Sequence, residues 1–404
     1  AAPSNPASRS RSDGGNGAYI NSETTTPNRL TPGSPAARVN AATISSAKHE
    51  TAISSGNLII ISTISHHSLN PNSNPECSTP RQFPTRHPPD HHPPMQLALL
   101  LTPMSDHHLA LASQIGVTDI VATYPGSDPD ILAQQCDRVA QHGMKITVIE
   151  RHIPHDKLVH NQPGQSDQLA EFKQLIRNMG RCGIHTLCYN WMPDDDWQRT
   201  SFTTKERGGA LVTEFDLAQV KRSPQRPANP TPAEQLWHNL TNFLTEITPV
   251  AEDHGVTLAL HPDDPPLANL HGQDRIIIDH QAFDRVLNLN PSPANKLCYC
   301  QGTFASAGHD IPAGIRKFAG HIAFAHFRDV HGTVPKFRET FHDNGQTDMA
   351  ACIRAYQETN FPAPIRPDHV PTLAGETNAN PGYEMLGRLH AIGYMKGLID
   401  ASRT

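Results

Sequence analysis

No apolar stretch of this sequence is long enough to cross a bilayer. The most apolar short run, Leu58-Ile59-Ile60-Ile61, stops at Ser62 and Thr63, far short of the ~20 residues a membrane helix needs. Membrane insertion is therefore set aside. A basic excess is missing as well. Lys and Arg number 33 against 39 Asp and Glu, a formal net charge of −6, so a nucleic acid is not an expected partner. Nor is there a disulfide framework: seven cysteines, an odd count at irregular spacing, are spread over 404 residues. That usage points to a reducing, cytoplasmic setting. Finally, no Gly-rich dinucleotide fingerprint follows the first strand-like run, where the chain reads Thr102-Pro103-Met104-Ser105, which argues against a doubly wound open sheet.

What is present changes character near residue 95. Residues 1–94 are dense in Ser, Thr, Pro, Asn and His, as in Ser65-His66-His67-Ser68 and His87-Pro88-Pro89-Asp90-His91-His92-Pro93-Pro94. They lack the periodicity that would let them bury enough apolar surface to offset ordering entropy. They are expected to be disordered, either as non-native sequence ahead of the start at Met95 or as an acid-poor, transit-like extension. The first explanation is preferred.

From Met95 on, short apolar runs alternate with amphipathic stretches. Strands are expected at 97–101, 119–122, 145–150, 185–190, 256–261, 297–300, 322–326 and 363–368, with helices at 128–142, 167–182 and 232–254. Eight β-then-α units over 95–404 are the arithmetic of a single (β/α)₈ TIM barrel. In that fold the chemistry sits on the rim formed by the C-terminal strand ends. Four successive runs end in His261, Cys300, His326 and, at the eighth, Asp368. Adjacent barrel strands lie about 5 Å apart, so neighbouring ends can share one cation. Imidazole, thiolate and carboxylate together suit Mn²⁺, Fe²⁺, Co²⁺ or Zn²⁺ better than Mg²⁺ or Ca²⁺. One such residue alone is more often a satisfied core side chain; core packing does not ask for four on consecutive strands.

At these residues the chain resembles the mannonate dehydratase family. The matching series runs through Arg177-Asn178-Met179-Gly180-Arg181-Cys182-Gly183, Tyr189-Asn190-Trp191-Met192-Pro193 and Asp196-Trp197-Gln198-Arg199-Thr200. It continues with His261-Pro262-Asp263-Asp264-Pro265-Pro266, Cys300-Gln301-Gly302-Thr303, His326-Phe327-Arg328, Phe341-His342, Arg366-Pro367-Asp368-His369 and Asn380-Pro381-Gly382-Tyr383. The resemblance covers most of 95–404 and none of 1–94. It implies dehydration of D-mannonate to 2-keto-3-deoxy-D-gluconate in hexuronate (glucuronate) catabolism, with Mn²⁺ or Fe²⁺ on His261, Cys300, His326 and Asp368. It also implies acid and base work by His369 and Tyr383. One departure stands out. The family's long helical insertion after the Trp197–Arg199 region is absent, and between Arg199 and Trp237 only a Pro-rich link, Ser223-Pro224-Gln225-Arg226-Pro227, is expected. This leaves the preferred aldonate open, and whether the chain forms a homo-oligomer.

The chemistry asks for a Lewis acid at the substrate carboxylate, a base for the C2 proton and an acid for the departing C3 hydroxyl. Arg328 is expected to clamp the carboxylate through its planar fork, and Asn190 and Tyr189 to bind substrate hydroxyls. His152, His155 and His160 read as loop residues, Trp191 and Trp197 as packing, Asp194-Asp195-Asp196 as a solvated turn. Cys298 reads as packing beside Cys300, and Cys182 and Cys188 as small buried residues. Two other functions compete: a sugar isomerase or epimerase on the same barrel, and a non-catalytic metal-binding barrel. Cys300 argues against the first, since such enzymes rely on carboxylate-rich metal shells; His369 and Tyr383 argue against the second.

Overall fold

Runs such as Leu97-Ala98-Leu99-Leu100 are apolar on both faces because their strands are covered on both, by the barrel interior and by an outer layer of helices. The computed structural model describes residues 95–193, 197–220 and 230–402. The expectations for residues 1–94, for Asp194-Asp195-Asp196 and for the Pro-rich link lie outside the described residues. Eight parallel strands close into a barrel: β1 (Gln96–Leu100), β2 (Asp119–Ala122), β3 (Lys145–Glu150), β4 (Thr186–Asn190), β5 (Thr257–His261), β6 (Asn295–Cys300), β7 (Ile322–Phe327) and β8 (Pro364–Pro367). Around the barrel every strand pairs with its neighbours in the chain, and β8 closes on β1. The (β/α)₈ TIM-barrel expectation is met, with strand ends within two residues of those read from the sequence.

The two-residue strand period sorts the core into two layers. Ala98, Leu100, Val121, Val148, Cys188, Ala259, Cys298 and Phe324 pack together inside the barrel. Leu99, Ile120, Ile149, Leu187, Leu258, Leu297 and Ile365 face the helices. The parity that turns Ala259, Cys298 and Phe324 inward also turns His261, Cys300 and His326 inward at the next position along. Those helices begin where the sequence supplies caps: Asp128 accepts from the Asp130 amide ahead of the helix Pro129–Ala140, and Asp279 does the same for His280–Leu289 through Ala282. The helix Ala233–Asp253 buries Leu236, Leu240, Phe243, Leu244 and Ile247. Phe243 meets Phe172 of the helix Gln165–Arg181 edge-on at 5.1 Å. Each such ring contributes about 1.5–3 kcal/mol by burial.

A feature the sequence did not announce is a four-stranded antiparallel sheet, ordered Val330–Thr333, Lys336–Glu339, Leu211–Asp216, Ser201–Lys205. Part of the region read as a bare link between Arg199 and Trp237 is therefore two strands. Phe215 and Phe337 stack at 5.9 Å where this sheet is paired. All its strands leave the C-terminal ends of β4 and β7, so the sheet stands over the functional rim.

Candidate metal centre and active site

Strand register sets the geometry at the rim. Asn190 lies opposite His261 across β4 and β5, Cys300 opposite His326 across β6 and β7, and His326 opposite Arg366 across β7 and β8. One ligand atom each from His261, Cys300 and His326 falls within 4.8 Å of the others. Asp368, one residue past β8, brings Oδ2 to 3.6 Å from His326 Nδ1. All four residues expected around a cation thus converge on one side of the barrel.

Their surroundings fit a divalent metal. His261 Nδ1 donates to the Pro262 carbonyl at 2.6 Å, which leaves Nε2 as the free lone pair. Among the described residues neither ring nitrogen of buried His326 makes an aligned hydrogen bond; instead carboxylate oxygens flank the ring, Glu150 Oε1 at 3.1 Å from Nε2 and Asp368 Oδ2 at 3.6 Å from Nδ1, a setting that also favours a cation. Burial alone would push the Cys300 thiol up, but the Arg328 guanidinium and the His261 ring outweigh it and hold the thiol well below its ordinary value. Thiolate is the form that binds metal. Burial also opposes ionisation of Asp368, yet His369, Arg366 and His326 keep its carboxyl well below the usual range.

Two other clusters compete less well. Cys188 and Cys298 reach His326 from inside the barrel, but burial and the hydrogen bond that Cys298 donates to Cys188 push the Cys298 thiol far up, so it stays neutral. Asp264, Glu339 and His369 also lie close together. There the two carboxylates are already matched by Arg199 and Arg328, so no negative charge is left over for a metal ion.

Arg328 is a correction to the sequence reading. It is 1% exposed, and its Nη1 and Nη2 are taken by Glu339 at 2.5 Å and Asp264 at 2.7 Å. Its Nε lies 2.9 Å from Asp368 Oδ2 and 3.4 Å from Cys300 Sγ. A side chain so engaged has no fork left for a substrate carboxylate. Gly302 is required beneath it, because a Cβ there would come within 2.7 Å of the Arg328 side chain. Tyr189 also departs from expectation. Although it is among the cavity-lining residues, its ring packs on Phe172 and Phe243 in the layer between barrel and helices. Asn190 does line the cavity, accepting at Oδ1 from the Met192 amide at 3.0 Å and from His155 Nε2 at 3.1 Å.

His369 and Tyr383 face the same cavity. The Tyr383 hydroxyl is 3.1 Å from His369 Nε2, and a backbone bond from Val370 to Gly382 closes the loop that brings them together. His369 sits at φ +40°, an uncommon setting outside glycine. The histidine cluster after β3 divides: His152 and His155 line the cavity, whereas His160 is bound to Thr231 and Pro193. Trp191 is core, as read. Trp197 is not merely packing, since its ring lies 4.5 Å from that of His369. Sequence reasoning gave no role to Arg151, Arg199 or Glu339. Arg151 lines the cavity with its guanidinium 4.6 Å from the Tyr383 ring centroid. Arg151 and His152 take φ +69° and +61° in succession, but positive φ leaves no mark in sequence when the residue is not Gly or Asn.

Among known protein families, residues 105–229 and 227–404 match D-mannonate dehydratase (UxuA) in two stretches that meet in the Pro-rich link. Mannonate dehydratase 2 of Halalkalibacterium halodurans is 32% identical over 295 residues, covering 66% of this chain and 85% of the relative. A mannonate dehydratase of Thermotoga petrophila is 32% identical over 302 residues, covering 66% and 83%. The crystal structure of mannonate dehydratase from Streptococcus suis serotype 2 superposes with a TM-score of 0.71 at 29% identity, over 76% of this chain and 95% of that one. An L-ribulose 3-epimerase, 13% identical with a TM-score of 0.53 over 76% of this chain and 96% of that one, shares the fold alone. With its barrel, its His–Cys–His–Asp rim and these matches, the chain belongs to the D-mannonate dehydratase family.

Proposed function

We propose that this protein dehydrates D-mannonate to 2-keto-3-deoxy-D-gluconate with Mn²⁺ or Fe²⁺ held by His261, Cys300, His326 and Asp368. The observation that carries the reading is the placement of the His369–Tyr383 pair on the wall of the cavity that also opens on His261, His326 and Asp368. A divalent cation in that site supplies Lewis-acid stabilisation of the charge that develops on the substrate carboxylate as the C2 proton leaves. The chain's own residues do the rest. His369 Nε2 and the Tyr383 hydroxyl are the two groups placed to move protons at C2 and at the C3 hydroxyl. Arg151, on the cavity wall, replaces Arg328 as the cation that meets an anionic substrate. Asn190 offers its amide to a substrate hydroxyl. Trp197 covers the His369 ring and keeps water from it.

The test is to load the protein with Mn²⁺, incubate it with a panel of aldonates and assay for 2-keto-3-deoxy product. Product from mannonate that disappears in His369→Asn and in Tyr383→Phe, with metal content unchanged, supports the proposal. Full metal loading without turnover across the panel, or aldose–ketose interconversion instead of dehydration, overturns it.

A further inference from the structure

The ring of His369 is gripped at both nitrogens, and the grip at Nδ1 involves a residue from the sheet above the rim. Glu339 Oε1 lies 3.0 Å from His369 Nδ1, and Arg199 Nη2 lies 3.2 Å from the same nitrogen. The two contacts demand opposite things. A carboxylate can only accept, so it asks Nδ1 to carry a proton; a guanidinium can only donate, so it asks Nδ1 to be bare. Counting hydrogens decides between them. Arg199 Nη2 has two, and it faces Asp264 Oδ2 at 2.9 Å and Glu339 Oε1 at 2.5 Å. Both are charged acceptors at shorter distances, and charge-assisted bonds are the stronger ones. No hydrogen remains for the histidine.

We propose that Glu339 is a positioning residue that holds His369 as the Nδ1–H tautomer, leaving Nε2 toward Tyr383 and the cavity as a proton acceptor. Arg199 and Arg328 are its supports. Both donate to Oε1, the oxygen that faces His369 Nδ1, and all three side chains are buried, which fixes the carboxylate where the Nδ1–H bond needs it. The backbone strain of His369 at φ +40° is consistent with a ring whose orientation is set by such a clamp rather than by local preference. The same division of labour, a buried carboxylate choosing the tautomer of a working histidine, makes the orienting group matter even though it touches no substrate.

The consequence for turnover rests on the acid–base assignment proposed above; the tautomer itself does not. The full chain, labelled with ¹⁵N in its histidine rings and loaded with diamagnetic Zn²⁺, is read by NMR, with the His369 signals assigned by their loss in His369→Asn. A protonated, pyrrole-type Nδ1 and a pyridine-type Nε2 support the inference; the reverse pattern in the wild-type protein overturns it. With Mn²⁺ loaded, Glu339→Gln is expected to lower kcat by about 10²-fold or more with KM changed less than about threefold. Glu339→Asp, which keeps the charge, is expected to recover part of the loss. A Glu339→Gln protein that folds, binds Mn²⁺ and keeps wild-type kcat also overturns the inference. Should His369→Asn itself retain turnover, the acid–base assignment falls, while the ¹⁵N pattern still decides the tautomer.

Discussion

Arg328 Nε lies 2.9 Å from Asp368 Oδ2, within a buried cluster in which Arg328 also meets Asp264 and Glu339. This guanidinium therefore shares with Arg199 and Arg366 the compensation of three carboxylates that water does not reach. Arg328→Met is expected to destabilise the protein by about 3–5 kcal/mol, because it strands buried charge rather than removing a surface contact. Chemical denaturation measures this. Native stability in the variant together with a raised KM would return Arg328 to a substrate-binding role.

Arg151 is the contrasting case, half-buried on the cavity wall over Tyr383. Arg151→Met keeps the apolar stem and deletes the charge. The expected result is a KM for mannonate raised about tenfold, or roughly 1.4 kcal/mol, with the thermal midpoint unchanged. Steady-state kinetics at saturating Mn²⁺ provide the check, and an unaltered KM would remove Arg151 from the substrate site.

The two cysteines of β6 should behave differently. Cys300 is the thiolate at the rim; Cys298, two residues back, is a neutral thiol inside the barrel. Cys300→Ser is expected to lower bound Mn²⁺ by at least about tenfold, in keeping with the loss of a direct ligand, whereas Cys298→Ala should retain full stoichiometry. Elemental analysis of the purified variants separates them, and the opposite pattern would move the centre down into the barrel.

Acid should unfold the protein through the same cluster. Burial opposes ionisation of Glu339, but Arg328 and Arg199 overcome it and bring its carboxyl from 4.5 down to about 2; Asp264 is lowered as well, by Arg199 and Arg328 against burial. A folded-state value below the unfolded one means that the stabilisation is complete above about pH 4.5 and is lost as pH falls toward 2. Stability measured by denaturant from pH 5 downward should fall over that interval, and the fall should be shallower in Glu339→Gln. A flat profile would contradict the ion pairing.

Much of this was legible because barrel strands are apolar runs and their ends carry the chemistry. His261, Cys300 and His326 each close a run whose inward parity is set by Ala259, Cys298 and Phe324, so the rim could be read without coordinates. The sheet over the rim could not. Ser201–Lys205 and Lys336–Glu339 are short and polar, and Gly208, Gly209 and Gly332 interrupt their neighbourhood, so no alternation stands out. The partners of Arg328 depend on that sheet: Glu339 reaches it through the hairpin that sets Val330 opposite Glu339. The carboxylates nearer to hand, Asp329 next in the chain and Asp263 beside Asp264, are not partners of Arg328. In fact Asp329 accepts from Thr347 and Asp263 from the amides of Ile276 and Ile277.

The most direct measurement of the whole account is anomalous diffraction from a crystal of the Mn²⁺-loaded protein. The account predicts one strong peak at the rim, about 2.0–2.5 Å from one nitrogen of each of His261 and His326, from Cys300 Sγ and from an oxygen of Asp368. Such a bond requires Asp368 Oδ2 to loosen its contact with Arg328. A peak beside Cys188 and Cys298 instead, or none within reach of all four residues, would contradict it.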